Sequence, residues 1–104
     1  MSVPTASITT LSDYQAEAKR TINRNLTEDQ RLLDAAAGLA EEAGEVLAHV
    51  RKHLLQGRPL DRDALALELG DALWCVAITA DTLGVSLEAV ARRNVDKLRA
   101  RHPA

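Results

Sequence analysis

The stretch GLAEEAGEVLAHV, residues 38–50, decides the fold and also poses its main problem. Leu39, Ala40, Ala43, Val46, Leu47 and Val50 supply the apolar residues of a packed α-helix, at steps that are largely three and four. Glu41, Glu42 and Glu45 interrupt them with three carboxylates in five positions. ELGDALWCVAI, residues 68–78, repeats the arrangement with Glu68 and Asp71 inside a still more apolar run. Positions i and i+3 share one side of a helix, so Glu42 pairs with Glu45 and Glu68 with Asp71.

Exposed helical acids are often balanced by a Lys or Arg four residues on. Here Val46 and His49 follow the first pair, and Ala72 and Cys75 follow the second. A buried carboxylate without a partner either costs several kcal/mol or takes up a proton. Four such groups on two packed helices call for a positive group between them. Oxygen ligands favour Mg²⁺ or Mn²⁺ over Zn²⁺, so the spacing predicts a divalent-metal cage. A di-iron bundle would need Glu-x-x-His on two helices, and no Glu here has His three residues later. His49 and His53 stand beside Arg51 and Lys52 and read as solvated. Cys75 reads as a small residue lining the site, because no His is placed by the sequence to activate it.

Outward from these stretches, four helices are expected. The first spans about 13–24, with Ser12 and Gln15 as a capping box and Tyr14, Ala18 and Ile22 buried. The second spans about 28–55, with Thr27 as its cap and Leu32, Ala36, Leu39, Ala43, Val46, Val50 and Leu54 as its stripe. The third, about 62–83, stops at Gly84; the fourth starts at the Ser86 cap and runs to about Arg101. On the third helix, Leu65, Leu69, Ala72, Leu73, Val76 and Leu83 form one apolar face, and Leu67, Trp74 and Ile78 form another. A helix apolar on two sides needs neighbours on both, and the face with Trp74 is expected to meet a second copy.

The totals agree with a single all-α domain. The chain has 104 residues, 46% of them hydrophobic and 27% charged, enough for one helical core. Aromatic residues make up only 2% and Phe is absent, so small residues must pack the core and oligomerisation is expected to enlarge it. The formal charge of −2 gives no general affinity for nucleic acid. A single Cys excludes an internal disulfide and fits a cytoplasmic protein. Neither a signal peptide nor a membrane span is expected. Residues 1–10 read as a flexible lead-in, and residues 11–104 as the domain.

The order of motifs resembles the all-α nucleoside triphosphate pyrophosphohydrolases, and the MazG-like branch in particular. DYQAEAKRT at 13–21, GLAEEAGEV at 38–46, ELGDALWCVAITADTLGVSLEAV at 68–90 and NVDKLRARHP at 94–103 carry the likeness. It implies a four-helix subunit in a helical-bundle homodimer or homotetramer. It also implies Mg²⁺-dependent hydrolysis of an NTP or dNTP between the α- and β-phosphates, giving a monophosphate and pyrophosphate, as nucleotide-pool house-cleaning. The implied metal ligands are Glu42, Glu45, Glu68 and Asp71, with Glu41 as an outer ligand or water activator. Relatives often carry Tyr where this chain has Cys75, so base preference does not transfer. Asn94, Lys97 and Arg101 form one line on the fourth helix and are the candidates for the phosphates. The alternatives are a phosphoribosyl-ATP or dUTP/dCTP-specific pyrophosphohydrolase of the same superfamily, or a non-catalytic helical oligomer binding nucleotide or protein.

Overall fold

The computed structural model describes residues 5–103, with a 3-10 turn at Thr5–Ser7 followed by four α-helices. These are α1 (Leu11–Ala18), α2 (Glu28–Gln56), α3 (Arg62–Thr82) and α4 (Leu87–Arg101). Each begins at a side-chain cap: Thr10, Thr27, Asp61 and Ser86 accept the backbone N–H groups of Asp13, Gln30, Ala64 and Ala89. Thr27 and Gln30 complete a reciprocal capping box. Gly57 (φ 65°) ends α2 in the left-handed region, and Gly84 (φ 75°) does the same after α3. No single helix among the described residues is long and apolar enough to cross a membrane.

The first helix departs from its expected bounds. Its cap is Thr10 rather than Ser12, and Asp13 Oδ2 in return accepts from the backbone and hydroxyl of Thr9 at 3.3 Å. Ser12 falls within the first turn and donates to Glu88. After Ala18 the chain tightens into a 3-10 turn, Lys19–Thr21, and becomes extended at Ile22. Two bonds hold this end: the Thr21 hydroxyl donates to Ala18 O at 2.8 Å, and Trp74 Nε1 donates to the Thr21 hydroxyl at 2.8 Å. Of the expected lead-in, residues 1–4 lie outside the described residues.

Gln15, expected at a helix start, is instead buried, with only 6% exposure. Its amide nitrogen donates to Ala77 O at 3.0 Å and Val85 O at 3.3 Å, and its oxygen accepts from Leu87 N at 2.9 Å. One side chain thus joins α1, α3 and the start of α4. Gln15→Leu would strand three backbone groups and should cost about 2–4 kcal/mol in urea unfolding. A loss below about 0.5 kcal/mol would show that these bonds are not holding the helices together.

The core is correspondingly small. Ala18, Ala35, Ala77, Ile78 and Leu87 cluster, with Tyr14, Ile22, Trp74 and Val76 packed against them. On α2, Ala35 is buried and Leu32, Leu39, Val46 and Val50 are half-buried, while Ala36, Ala43 and Leu54 of the expected stripe are exposed. The two expected α3 faces are mixed: Leu65, Ala72 and Val76 stay half-buried and Leu67 faces outward as expected, but other members change sides. Ile78, at 1% exposure, and the half-buried Trp74 pack inside their own chain, whereas Leu69 (56%) and Leu83 (63%) face outward. α1 is only eight residues long and covers the Trp74–Ile78 end, leaving Leu67 at 73%.

Candidate functional site

Glu42 of α2 and Glu68 and Asp71 of α3 converge. Each offers a carboxylate oxygen, and the three oxygens lie within 4.8 Å of one another. Two ligands on opposite sides of a Mg²⁺ ion are about 4.2 Å apart, given bonds of about 2.1 Å, so the triangle is close to the size of a cation's coordination sphere. Glu42 Oε2 is shut off from solvent and has no hydrogen-bond partner. Its nearest interacting carboxyl, Glu68, is another acceptor, and only a proton or a cation can reconcile the two. A proton shared with Glu68, then burial, then the charges of Glu68, Asp71 and Glu41, push the Glu42 carboxyl from 4.5 up to about 7. An orphaned acceptor among oxygen donors fits a hard divalent cation.

The remaining sequence candidates fall into separate places. Glu45 is exposed and lies outside the triangle. Glu41 is exposed too, but its charge acts on Glu42. Cys75 is buried, and its thiol is pushed up first by burial and then by the charges of Glu42, Asp34, Asp71 and Glu41. Such a group stays protonated and suits a wall better than a nucleophile. Asn94, Lys97 and Arg101 are exposed on α4, and Lys97 and Arg101 form no ion pair among the described residues. The charges that shift Glu42 within one chain are all acidic. Arg92, off the line of Asn94, Lys97 and Arg101, is exposed and donates to Glu88 Oε1 at 2.9 Å.

Several neighbours were not legible as site residues. His49, expected in solvent, is half-buried with Nε2 3.8 Å from Glu68 Oε1. His53 instead contacts Arg58 O at 2.7 Å through Nδ1, at the end of α2. Asp34, Gly38 and Glu42 from α2, with Asp71, Trp74 and Cys75 from α3, line a cleft of about 250 Å³. Tyr14 of α1 approaches its wall: burial, then the charges of Asp71 and Cys75, raise its phenol. The four-residue steps from Asp34 to Gly38 to Glu42 were visible in the sequence, but not that α3 lies against that line.

Comparison with known proteins agrees with this geometry. The MazG nucleotide pyrophosphohydrolase domain family matches residues 30–104, which include all three converging acids. The Gene 37 protein of Mycobacterium phage L5 is 43% identical over 68 residues, covering 62% of this chain. The matched part of the chain spans 60% of that relative's length. No solved structure matches the chain.

Proposed function

The chain belongs to the MazG nucleotide pyrophosphohydrolase family, and on that premise we propose that it hydrolyses nucleoside triphosphates between the α- and β-phosphates. Water cleaves the anhydride, its proton leaves, and the products are a nucleoside monophosphate and pyrophosphate. The observation that carries this reading is the orphaned Oε2 of Glu42 within the three-carboxylate triangle. A divalent cation, Mg²⁺ or Mn²⁺, when bound supplies Lewis acidity and neutralises phosphate charge.

The chain's own residues do the rest. Glu42, Glu68 and Asp71 would hold the cation, with Glu42 ionised, and Glu45 would join them as a fourth ligand from the next turn of α2. In this reading Glu41 accepts the proton of the attacking water. His49, beside Glu68 Oε1, restrains that carboxylate. Asn94, Lys97 and Arg101 meet the phosphates, by hydrogen bonds and by charge. The cellular role we assign is removal of unwanted nucleotides. The test is a panel of ribo- and deoxynucleotides with Mg²⁺ and with Mn²⁺, reading monophosphate and pyrophosphate. Release of single phosphates, or no turnover on any nucleotide, would refute the proposal.

We also propose that the working form is a homodimer or homotetramer. The Cα radius of gyration is 16.1 Å, against about 13 Å for a compact chain of this length. The accessible surface is 7778 Å², against about 5,700 Å² for a monomer of this mass. The excess on one chain, about 2,100 Å², is larger than the roughly 800 Å² that each partner contributes to a standard interface. The exposed Leu67, Leu69 and Leu83 of α3 belong to the surface to be covered. Sedimentation should therefore show a dimer or larger species, and Leu69→Glu should shift it towards smaller or unfolded species. A stable, folded wild-type monomer at micromolar concentration would contradict this.

A further inference from the structure

We propose that the cleft beside the carboxylates receives the nucleobase, and that Asp34 selects cytosine and adenine, whose amino group stands at the N4 or N6 position, over uracil and thymine, which carry a carbonyl in the corresponding place. The inference rests on the pyrophosphohydrolase reading of the same site. Asp34, Gly38 and Glu42 succeed one another at four-residue steps on α2 and line one wall. At 1.5 Å per residue, Asp34 stands about 12 Å along the helix from Glu42. The cleft thus has an acid end, suited to cation and phosphates, and a far end two turns away.

Trp74 offers an aromatic side chain to that cleft. Its indole N–H already donates to the Thr21 hydroxyl at 2.8 Å, which fixes the ring before a ligand arrives. Contact with an aromatic ring tolerates every base, so Trp74 supplies affinity without choice. At the middle of the cleft, a Cβ on Gly38 would come within 3.0 Å of Cys75 Sγ. Glycine opposite a small thiol therefore lets α2 and α3 approach closely here, and any side chain at 38 would press on the Cys75 wall.

Asp34 supplies the choice. A carboxylate only accepts hydrogen bonds. Cytosine and adenine present an amino donor where uracil and thymine present a carbonyl. A site built to accept from that amino group leaves its own acceptor facing the rival's oxygen, and polar mismatch of this kind discriminates far more strongly than a change in apolar size. The amide of Asn, with both donor and acceptor, removes the distinction.

The test compares kcat/KM for CTP, ATP, UTP and dTTP in the wild type and in Asp34→Asn, with Mn²⁺ present. The wild type should favour CTP over UTP, and Asp34→Asn should lower that ratio by roughly tenfold or more. Trp74 is the single Trp of the chain, so its emission gives a reading that does not need turnover. CMP should quench it in the wild type at lower concentration than UMP, and in Asp34→Asn the two should act alike. Equal CTP/UTP ratios in the two proteins would overturn the role of Asp34 while leaving the proposed activity intact. Emission unmoved by any nucleotide would overturn the base cleft. Selective quenching by CMP without turnover on any triphosphate would instead support the cleft and refute the proposed activity.

Discussion

Glu42→Gln should lower turnover at least about a hundredfold while leaving the helices folded, and Asp71→Asn should do the same. Losses of this order accompany removal of a group that organises charge at the reacting phosphate. Glu42 is the most sensitive position because its buried oxygen has no other partner. Glu41→Gln, an exposed position outside the triangle, should cost less. The comparison needs steady-state pyrophosphate release at saturating Mn²⁺, with circular dichroism as the control for folding. Wild-type turnover in either Glu42→Gln or Asp71→Asn would end the three-carboxylate account.

The same Glu42 change should raise the melting temperature of the metal-free protein at about pH 8. The sign follows from the raised carboxyl, which moves from 4.5 to about 7 on folding. Below about 4.5 the folded and unfolded chains both hold the proton, and Glu42 exerts no penalty. Between 4.5 and 7 the unfolded chain ionises first, so folding becomes less favourable as pH rises; above 7 the full penalty applies. Wild-type protein without metal should therefore gain stability as pH falls from about 8 to 5, and Glu42→Gln should lose that gain. Asp13, lowered from 3.8 chiefly by hydrogen bonding from the Thr9 backbone, has the opposite sign and acts only in more acidic solution.

Mn²⁺ must displace the Glu42 proton, so its affinity should rise with pH up to about 7 and level off above it. At about 100 times its Kd, Mn²⁺ should add about 2.7 kcal/mol to the wild type, and much less to Glu42→Gln. Scanning calorimetry at two pH values, with and without Mn²⁺, covers all four conditions. Equal melting temperatures for wild type and Glu42→Gln in the metal-free state at about pH 8 would remove the repulsion on which this expectation depends.

What the sequence determined by itself was angular and local. The i, i+3 spacing put Glu68 beside Asp71 on α3, and the Thr27 and Ser86 caps and Gly84 marked helix ends correctly. Those features depend on one helix and a few neighbouring residues, which is the range over which backbone geometry is fixed by sequence alone. The same reasoning expected Glu42 beside those acids, since an unpaired acid on an apolar flank needs company, and the structure brings the three together. It failed for the other helix faces, whose neighbours no local pattern identified. Only the tertiary structure decided that α1 ends near Ala18 and covers Trp74 and Ile78, so that Leu69 and Leu83 face outward. Only the packing of α2 on α3 decided that Asp34 and Trp74 share a cleft, that His49 reaches Glu68, and that Glu45 stays outside the triangle. Periodicity tells which residues share a side of a helix. Which side is covered depends on the length and direction of its neighbours, and those are set by packing across the whole chain.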